Sequence, residues 1–295
     1  MHFHVVDAFT NRPFAGNPAA VFVLPPDTPW PRTDDLQRTA AELNLPETVY
    51  VRPAAAAAWD IRWFTPTLET NLCGHATLAA RHVLREEHGI VGEVRFHSFH
   101  RLHRLHSRTE GVLTADAPPT GPITLDFPRA ELTPTPVPDG LTAALGGIPV
   151  LETYRTGTLG DLLAVLPDKA AVASAAPDQA ALMSLQRGQG LRGVIITARA
   201  DDPGTPAAPD FVSRYFAPLD GIPEDPVTGS AHTALTPYWS SRLGRTEFTA
   251  HQLSARGGVL TVSLHGDRVR LRGEAITVIA GELRVRPGAG RPGES

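Results

Sequence analysis

Short blocks of alternating or continuous apolar residues, separated by turn-forming clusters, make up most of this chain, and only a few stretches carry helical spacing. His4 to Phe9 alternates as a strand does, and the turn-rich Thr10 to Pro18 leads into the apolar run Ala19 to Leu24. Leu36, Ala40 and Leu43 then recur at helical intervals, which predicts a helix over 34–43 with Thr33 as its cap and Asn44-Leu45-Pro46 as its stop. Thr48 to Val51 reads as a strand, with the acidic Glu47 squeezed between it and the helix end, and Ala54 to Ala58 reads as a featureless turn. A helix is predicted over 74–87, followed by strands over 93–96, 111–115 and 123–127. The proline-rich 118–138 suits a crossing between domains. Beyond it come a short helix (141–145), a strand (160–166), a helix (178–187), a strand (193–197) and a polar loop (201–210). Leu260 to Leu264, Val269 to Arg272 and Ala275 to Ala280 read as a meander that closes a sheet, and 287–295 as a disordered tail.

One pattern occurs twice. Arg62-Trp63-Phe64-Thr65-Pro66, a polar loop and Cys73-Gly74-His75-Ala76-Thr77-Leu78 return half a chain later as Arg214-Tyr215-Phe216-Ala217-Pro218, a polar loop and Gly229-Ser230-Ala231-His232-Thr233. Each copy is an aromatic strand ending at a proline, then a loop, then the start of an Ala/Leu-rich helix. A repeat this long is a domain rather than a solenoid unit, whose period runs to roughly 20–50 residues. The chain therefore divides into an N-terminal half, 1–127, with a central helix near 74–87, and a C-terminal half, 128–286, with a central helix near 229–243. A helix start leaves backbone N–H groups unpaired and carries about half a positive charge. Gly74 and Gly229 have no side chain to hold a ligand off, so both helix starts are candidates for binding an anion. If the halves face one another, a small carboxylate or phosphate is expected between the two ends.

At 295 residues, with 42% apolar and 20% charged residues, the chain has material for two ordinary cores. A net charge of −4 argues against a nucleic-acid partner. The opening Met1-His2-Phe3-His4 is not a secretory leader, and no run approaches the roughly 18 apolar residues of a membrane span, so a cytoplasmic protein without membrane attachment is expected. His97, His100, His103 and His106 recur every third residue among arginines. Metal ligation is one reading, but the interleaved positive charge and the lack of adjacent acidic groups favour a solvated hairpin extension, and no metal is expected.

The single cysteine, Cys73, excludes an intrachain disulfide and fits a reducing compartment. At a helix start its thiol would be acidified, yet a racemase working from both faces of an α-carbon needs a second thiol, which this chain lacks. Cys73 and His75, two positions apart, are not expected to face each other as a dyad, and a small buried hydrophobe is the expectation for Cys73. Glu224-Asp225-Pro226-Val227-Thr228-Gly229-Ser230 places two carboxylates and a hydroxyl within one loop and the first turn of the second helix, as capping residues or as proton-transfer groups beside an anion.

Asp7-Ala8-Phe9-Thr10 with Phe14-Ala15-Gly16-Asn17-Pro18-Ala19, Leu45-Pro46-Glu47-Thr48, Leu72-Cys73-Gly74-His75-Ala76-Thr77 and Glu224 through His232 resemble the phenazine-biosynthesis PhzF family over nearly the whole chain. The resemblance implies an α+β diaminopimelate-epimerase-like fold, with two pseudo-symmetric halves, each a mostly antiparallel sheet wrapped around a central helix, usually as a homodimer. It also implies an isomerase without cofactor, whose best-known relative moves a proton from C3 to C1 of trans-2,3-dihydro-3-hydroxyanthranilate. Position by position, the family's proton-shuttling glutamate corresponds to Glu47, and its assisting and substrate-binding histidine, aspartate and serine to His75, Asp225 and Ser230. The expectation is a small anionic carboxylate substrate, catalytic Glu47, His75 and Asp225, and binding by Gly74, His75, Gly229 and Ser230. An epimerase acting at an α-carbon and a non-catalytic dimeric binding protein of the same fold are the competing readings.

Overall fold

A computed structural model describes residues 1–26, 28–54, 58–98, 112–200 and 208–284. In chain order these form β1 (His2–Ala8), β2 (Asn17–Val23), α1 (Thr33–Leu43), β3 (Glu47–Pro53), β4 (Ala58–Phe64), β5 (Glu69–Thr70), α2 (Gly74–Glu86), β6 (Gly92–Ser98), β7 (Val112–Ala117) and β8 (Ile123–Pro128). There follow β9 (Thr133–Thr135), α3 (Leu141–Ala144), β10 (Glu152–Arg155), β11 (Leu162–Val165), α4 (Lys169–Ser174), α5 (Gln179–Gln189), β12 (Val194–Arg199), β13 (Phe211–Ala217) and β14 (Ile222–Asp225). The last elements are α6 (Gly229–Leu243), β15 (Glu247–Gln252), β16 (Gly258–His265), β17 (Arg268–Gly273) and β18 (Ala275–Glu282). Of the histidine run only His97, in β6, is among the described residues; His100, His103 and His106 lie outside them, as do most of the 201–210 loop and the tail 287–295. Among the described residues no helix is long and apolar enough to cross a membrane.

The chain forms two units. The first comprises Met1–Phe14, Pro18–Leu125 and the described residues from Gly273, the second Ala15–Asn17 and Asp126–Arg272. In the first, β18 runs antiparallel to β1, β2 runs parallel to β3 across α1, β3 antiparallel to β4, β4 parallel to β6 across α2, and β6 antiparallel to β7. The second repeats the scheme: β10 antiparallel to β11, β11 parallel to β12 across α4 and α5, β12 antiparallel to β13, β13 parallel to β15 across α6, and β15 antiparallel to β16. Parallel pairs occur where a helix crosses over, because only a long connection can return the chain to the same direction. This is the pseudo-symmetric α+β architecture expected.

Besides a shift of two residues at Leu125/Asp126, the boundaries differ from the expected 1–127 and 128–286 at two places. Ala275 to Ala280 does not continue the second unit's meander but pairs with β1. At that crossing Gly273 lies under Phe9, where a β-carbon would meet Phe9 Cδ1 at 2.4 Å, so the absence of a side chain lets the two segments approach. Residues 15–17 belong with the second unit: Gly16 N–H donates to the Gly257 carbonyl at 2.9 Å, and the Arg256 guanidinium donates to the Ala15 and Gly16 carbonyls at 3.0 and 2.8 Å.

Each central helix is largely buried, and where α2 carries a charged group inward, at Arg81, the guanidinium donates to the Ile90 and Gly92 carbonyls at 2.8 and 2.7 Å. Residues Gly74 to Leu84 of α2 are all buried, and α2 packs on β1, β3, β7 and β18. In α6, Pro237 removes the N–H that would bond the Thr233 carbonyl, and the Ala130 N–H takes that acceptor instead at 3.1 Å. The repeated aromatic strands carry matching ion pairs: Arg62 grips Glu69 through Nε and Nη2 at 2.7 and 2.6 Å, and Arg214 grips Glu224 through the same atoms at 2.7 and 2.9 Å. Each guanidinium also lies over the phenylalanine two residues on, 5.1 Å from Phe64 and 5.0 Å from Phe216.

Candidate active site

Glu47 is the first residue of β3. Asn44, left-handed at φ 49° and ψ 36°, ends α1 by donating its N–H to the Ala40 carbonyl, and Leu45-Pro46 cannot continue the helix, so the chain turns directly into the strand. Glu47 is only 4% exposed, and its carboxylate accepts a 2.7 Å hydrogen bond from the Thr70 hydroxyl. A position that also suits a solvated turn thus holds an oriented, buried acid.

Thr70 stands in β5, and the loop after it ends at Cys73, the residue that precedes α2. The Cys73 carbonyl accepts from the Thr77 hydroxyl at 2.6 Å, and that hydroxyl accepts from Trp63 Nε1 at 3.1 Å. The indole of the repeated strand therefore fixes where the helix begins. Cys73 is buried and extended, φ −139° and ψ 116°, so its side chain turns back over the first helical turn and brings Sγ within 3.3 Å of His75 Nδ1. This corrects the expectation that the two do not face each other, because spacing rules for helical neighbours do not govern the residue before the helix. Burial pushes the His75 imidazole down to about 3, so near neutral pH the ring is an uncharged hydrogen-bonding group. Cys73→Ser keeps a polar atom against that ring and is expected to leave turnover within about tenfold of the parent, at a stability cost of about 1–2 kcal/mol. A larger loss of kcat in a variant shown by circular dichroism to be folded would assign the thiol a chemical role.

In the second unit Asp225 ends β14, opposite Tyr215. Its buried carboxylate accepts from Asn17 Nδ2 at 2.8 Å and from the Thr228 hydroxyl at 2.5 Å. Burial raises this acid to about 6, against the opposing effect of those two donors, so it titrates where a proton donor or acceptor is useful. Thr228 precedes α6, but its hydroxyl goes to Asp225 rather than to the helix, and its N–H donates to Gln252 Oε1 at 2.9 Å. Neither α2 nor α6 has a side-chain cap or an acidic residue in its first turn, so no carboxylate of its own offsets the positive helix end. Gly229 and Ser230 open α6, and Ser230 Oγ accepts from Arg192 Nη2 at 3.1 Å.

The other titratable groups of this motif are structural. His232 Nδ1 lies 2.8 Å from the Thr228 carbonyl, which can only accept, so Nδ1 carries the proton, and burial holds the ring down to about 4. Glu224 is occupied by Arg214.

Of the residues nominated from sequence, Glu47, Gly74 and His75 lie in the first unit and Asp225, Gly229 and Ser230 in the second. Sequence reasoning missed Thr70, Asn17, Arg192 and Gln252 as their partners. Asn17 stands in the run Phe14 to Ala19, but nothing local points to its partner Asp225, 208 positions away. Thr70 had a weak local signal, as a hydroxyl between the aromatic strand and the helix start.

The family described as phenazine biosynthesis-like protein matches residues 6–281. An uncharacterized isomerase of Pseudomonas aeruginosa is 43% identical over 286 residues, covering 97% of this chain and 99% of the relative. A phenazine biosynthesis-like domain-containing protein of Homo sapiens is 37% identical over 290 residues, covering 95% and 97%. Among solved structures, a PhzF family protein of Enterococcus faecalis is 38% identical, with a TM-score of 0.83 over 96% of this chain and 99% of that one. A hydroxyproline epimerase of Agrobacterium vitis, 13% identical with a TM-score of 0.59 over 95% and 91%, shares the fold alone. A family match along nearly the whole chain, relatives at this identity and a doubled epimerase-like fold lead to one conclusion: the chain belongs to the PhzF, or phenazine biosynthesis-like, family of isomerase-type proteins.

Proposed function

We propose that this protein is a cofactor-independent isomerase that moves a proton between two carbons of a small carboxylated substrate, with Glu47 as general acid and base. The observation that carries the reading is the Glu47 carboxylate, buried at the start of β3 and oriented by the Thr70 hydroxyl. A carboxylate held still and away from bulk water can take a carbon-bound proton and return it to another carbon on the same face of a conjugated ring. His75, uncharged, adds a hydrogen bond without adding charge, and Asp225, poised near 6, serves as a second acid or base. Gly74, His75, Gly229 and Ser230 are assigned to binding the substrate's carboxylate and the charge that develops during transfer. One carboxyl group both takes and returns the proton, so the chemistry calls for no cofactor. A cyclic, dihydro-hydroxyanthranilate-like carboxylate is the substrate class and a homodimer the assembly that the family favours. A racemase with a thiol on each face is excluded by the single cysteine.

Turnover in D₂O tests the shuttle. With trans-2,3-dihydro-3-hydroxyanthranilate and a panel of related cyclic carboxylates followed by NMR, partial deuteration of the receiving carbon is expected, because the protonated acid exchanges with solvent in only a fraction of turnovers. Complete deuteration of that carbon would remove a shielded single-carboxyl shuttle.

A further inference from the structure

We infer that Arg192 is a positioning residue that acts through Ser230, fixing its hydroxyl as a hydrogen-bond donor toward the substrate. The inference rests on the reading of Ser230 as a substrate-binding residue. Arg192 is held on several sides. Its N–H donates to the Gly160 carbonyl at 2.8 Å, and its carbonyl accepts from Gln186 Nε2 at 2.6 Å. The guanidinium donates from Nε to Asp161 Oδ1 at 2.9 Å and from Nη2 to Asp161 Oδ2 at 2.5 Å. Asp161 is itself fully buried and accepts from the Tyr215 phenol at 3.1 Å. The phenol reaches it by crossing Gly193, where a β-carbon would come within 2.3 Å of the phenol oxygen.

That lattice fixes the plane of the guanidinium, and its remaining Nη2 hydrogen points at Ser230 Oγ, 3.1 Å away on the first turn of α6. An arginine nitrogen only donates, so Ser230 must accept there and must give its own proton elsewhere. Among the described residues Ser230 Oγ makes no second hydrogen bond. A hydroxyl that accepts from a cation is also the stronger donor, because hydrogen bonds in a chain polarise one another. The sequence Tyr215 to Asp161, Arg192 to Asp161 and Arg192 to Ser230 therefore presents one oriented O–H at a helix end. A substrate carboxylate or a developing oxyanion is the group it fits.

A double-mutant cycle read by anthranilate binding tests this, with the ring's fluorescence reporting affinity. Arg192→Lys can still pair with Asp161 but lacks the planar fork that reaches Asp161 and Ser230 together. Arg192→Gln, which keeps a donor for Asp161, is measured beside it, and melting curves establish that each variant is folded. Arg192→Lys and Ser230→Ala are each expected to weaken binding about tenfold, and the double variant to bind no more weakly than Ser230→Ala alone. Unchanged affinity in folded Arg192→Lys and Arg192→Gln, or a double-variant loss equal to the product of the single losses, overturns the inference and leaves the Glu47 reading standing. Failure of the parent to bind anthranilate overturns the assignment of Ser230 to a ring carboxylate, and this inference with it.

Discussion

Glu47→Gln is expected to slow turnover by about 10² to 10⁴ while leaving substrate binding close to that of the parent. Glutamine has the shape of glutamate, and its amide oxygen can accept the Thr70 hydroxyl where Oε1 does now, at 2.7 Å. The substitution therefore removes the base and changes little else, and the loss belongs in kcat. Single-turnover rates with any accepted cyclic carboxylate give the answer. Undiminished isomerisation by the variant removes the proposed mechanism, whereas a parent inactive on the whole panel refutes only the choice of substrate.

Acid is expected to destabilise the protein steeply between about pH 6.5 and 4. Burial holds His75 down to about 3, and His82 and His232 down to about 4. Between those values and 6.5 the unfolded chain binds a proton at each imidazole and the native protein does not. The stability these rings allow is complete above about pH 6.5 and is lost as the pH falls, by about 1.4 kcal/mol per pH unit for each proton. Asp225 opposes the trend: with its acid raised to about 6, the native state between about pH 4 and 6 holds a proton that the unfolded chain has released. From these four groups, unfolding near pH 5 takes up about two protons, or about 3 kcal/mol per pH unit, which within a few units exhausts a typical stability of about 5–15 kcal/mol. Urea midpoints at several values from pH 7 to pH 5 measure the slope, and His232→Gln should lower it by about one proton. A stability that stays flat over that range would contradict neutral, buried imidazoles.

What the sequence made legible was local. The aromatic strands, the glycine-led helix starts and the long helices that follow them are contained in contiguous residues, and their recurrence exposed the doubled fold. Less legible were strands whose alternation is polar on the open side. In β15 only Phe248, Ala250 and Gln252 turn inward, and β10 is four residues long with Thr153 as its buried position. The partner of β18 was not legible either, since apolar alternation shows that a strand has an inner face but not which strand it pairs with. The same limit applied around the candidate residues. Glu47, His75, Asp225 and Ser230 stand in quotable motifs, while the groups that orient them come from elsewhere in the chain: Thr70 for Glu47, Asn17 for Asp225 and Arg192 for Ser230.

The pairing of β1 with β18 has a consequence for synthesis on the ribosome. β1 emerges long before the strand that covers one of its edges, Ala275–Glu282, has been made. At about 5–20 residues per second, that seven-residue edge stays open for some tens of seconds, presenting unpaired backbone groups to any other extended chain. The second unit is nearly continuous, and all of its residues are available once Arg272 has been made. The unit begun first is therefore the last that can be closed, and the order of translation is the reverse of the order of completion.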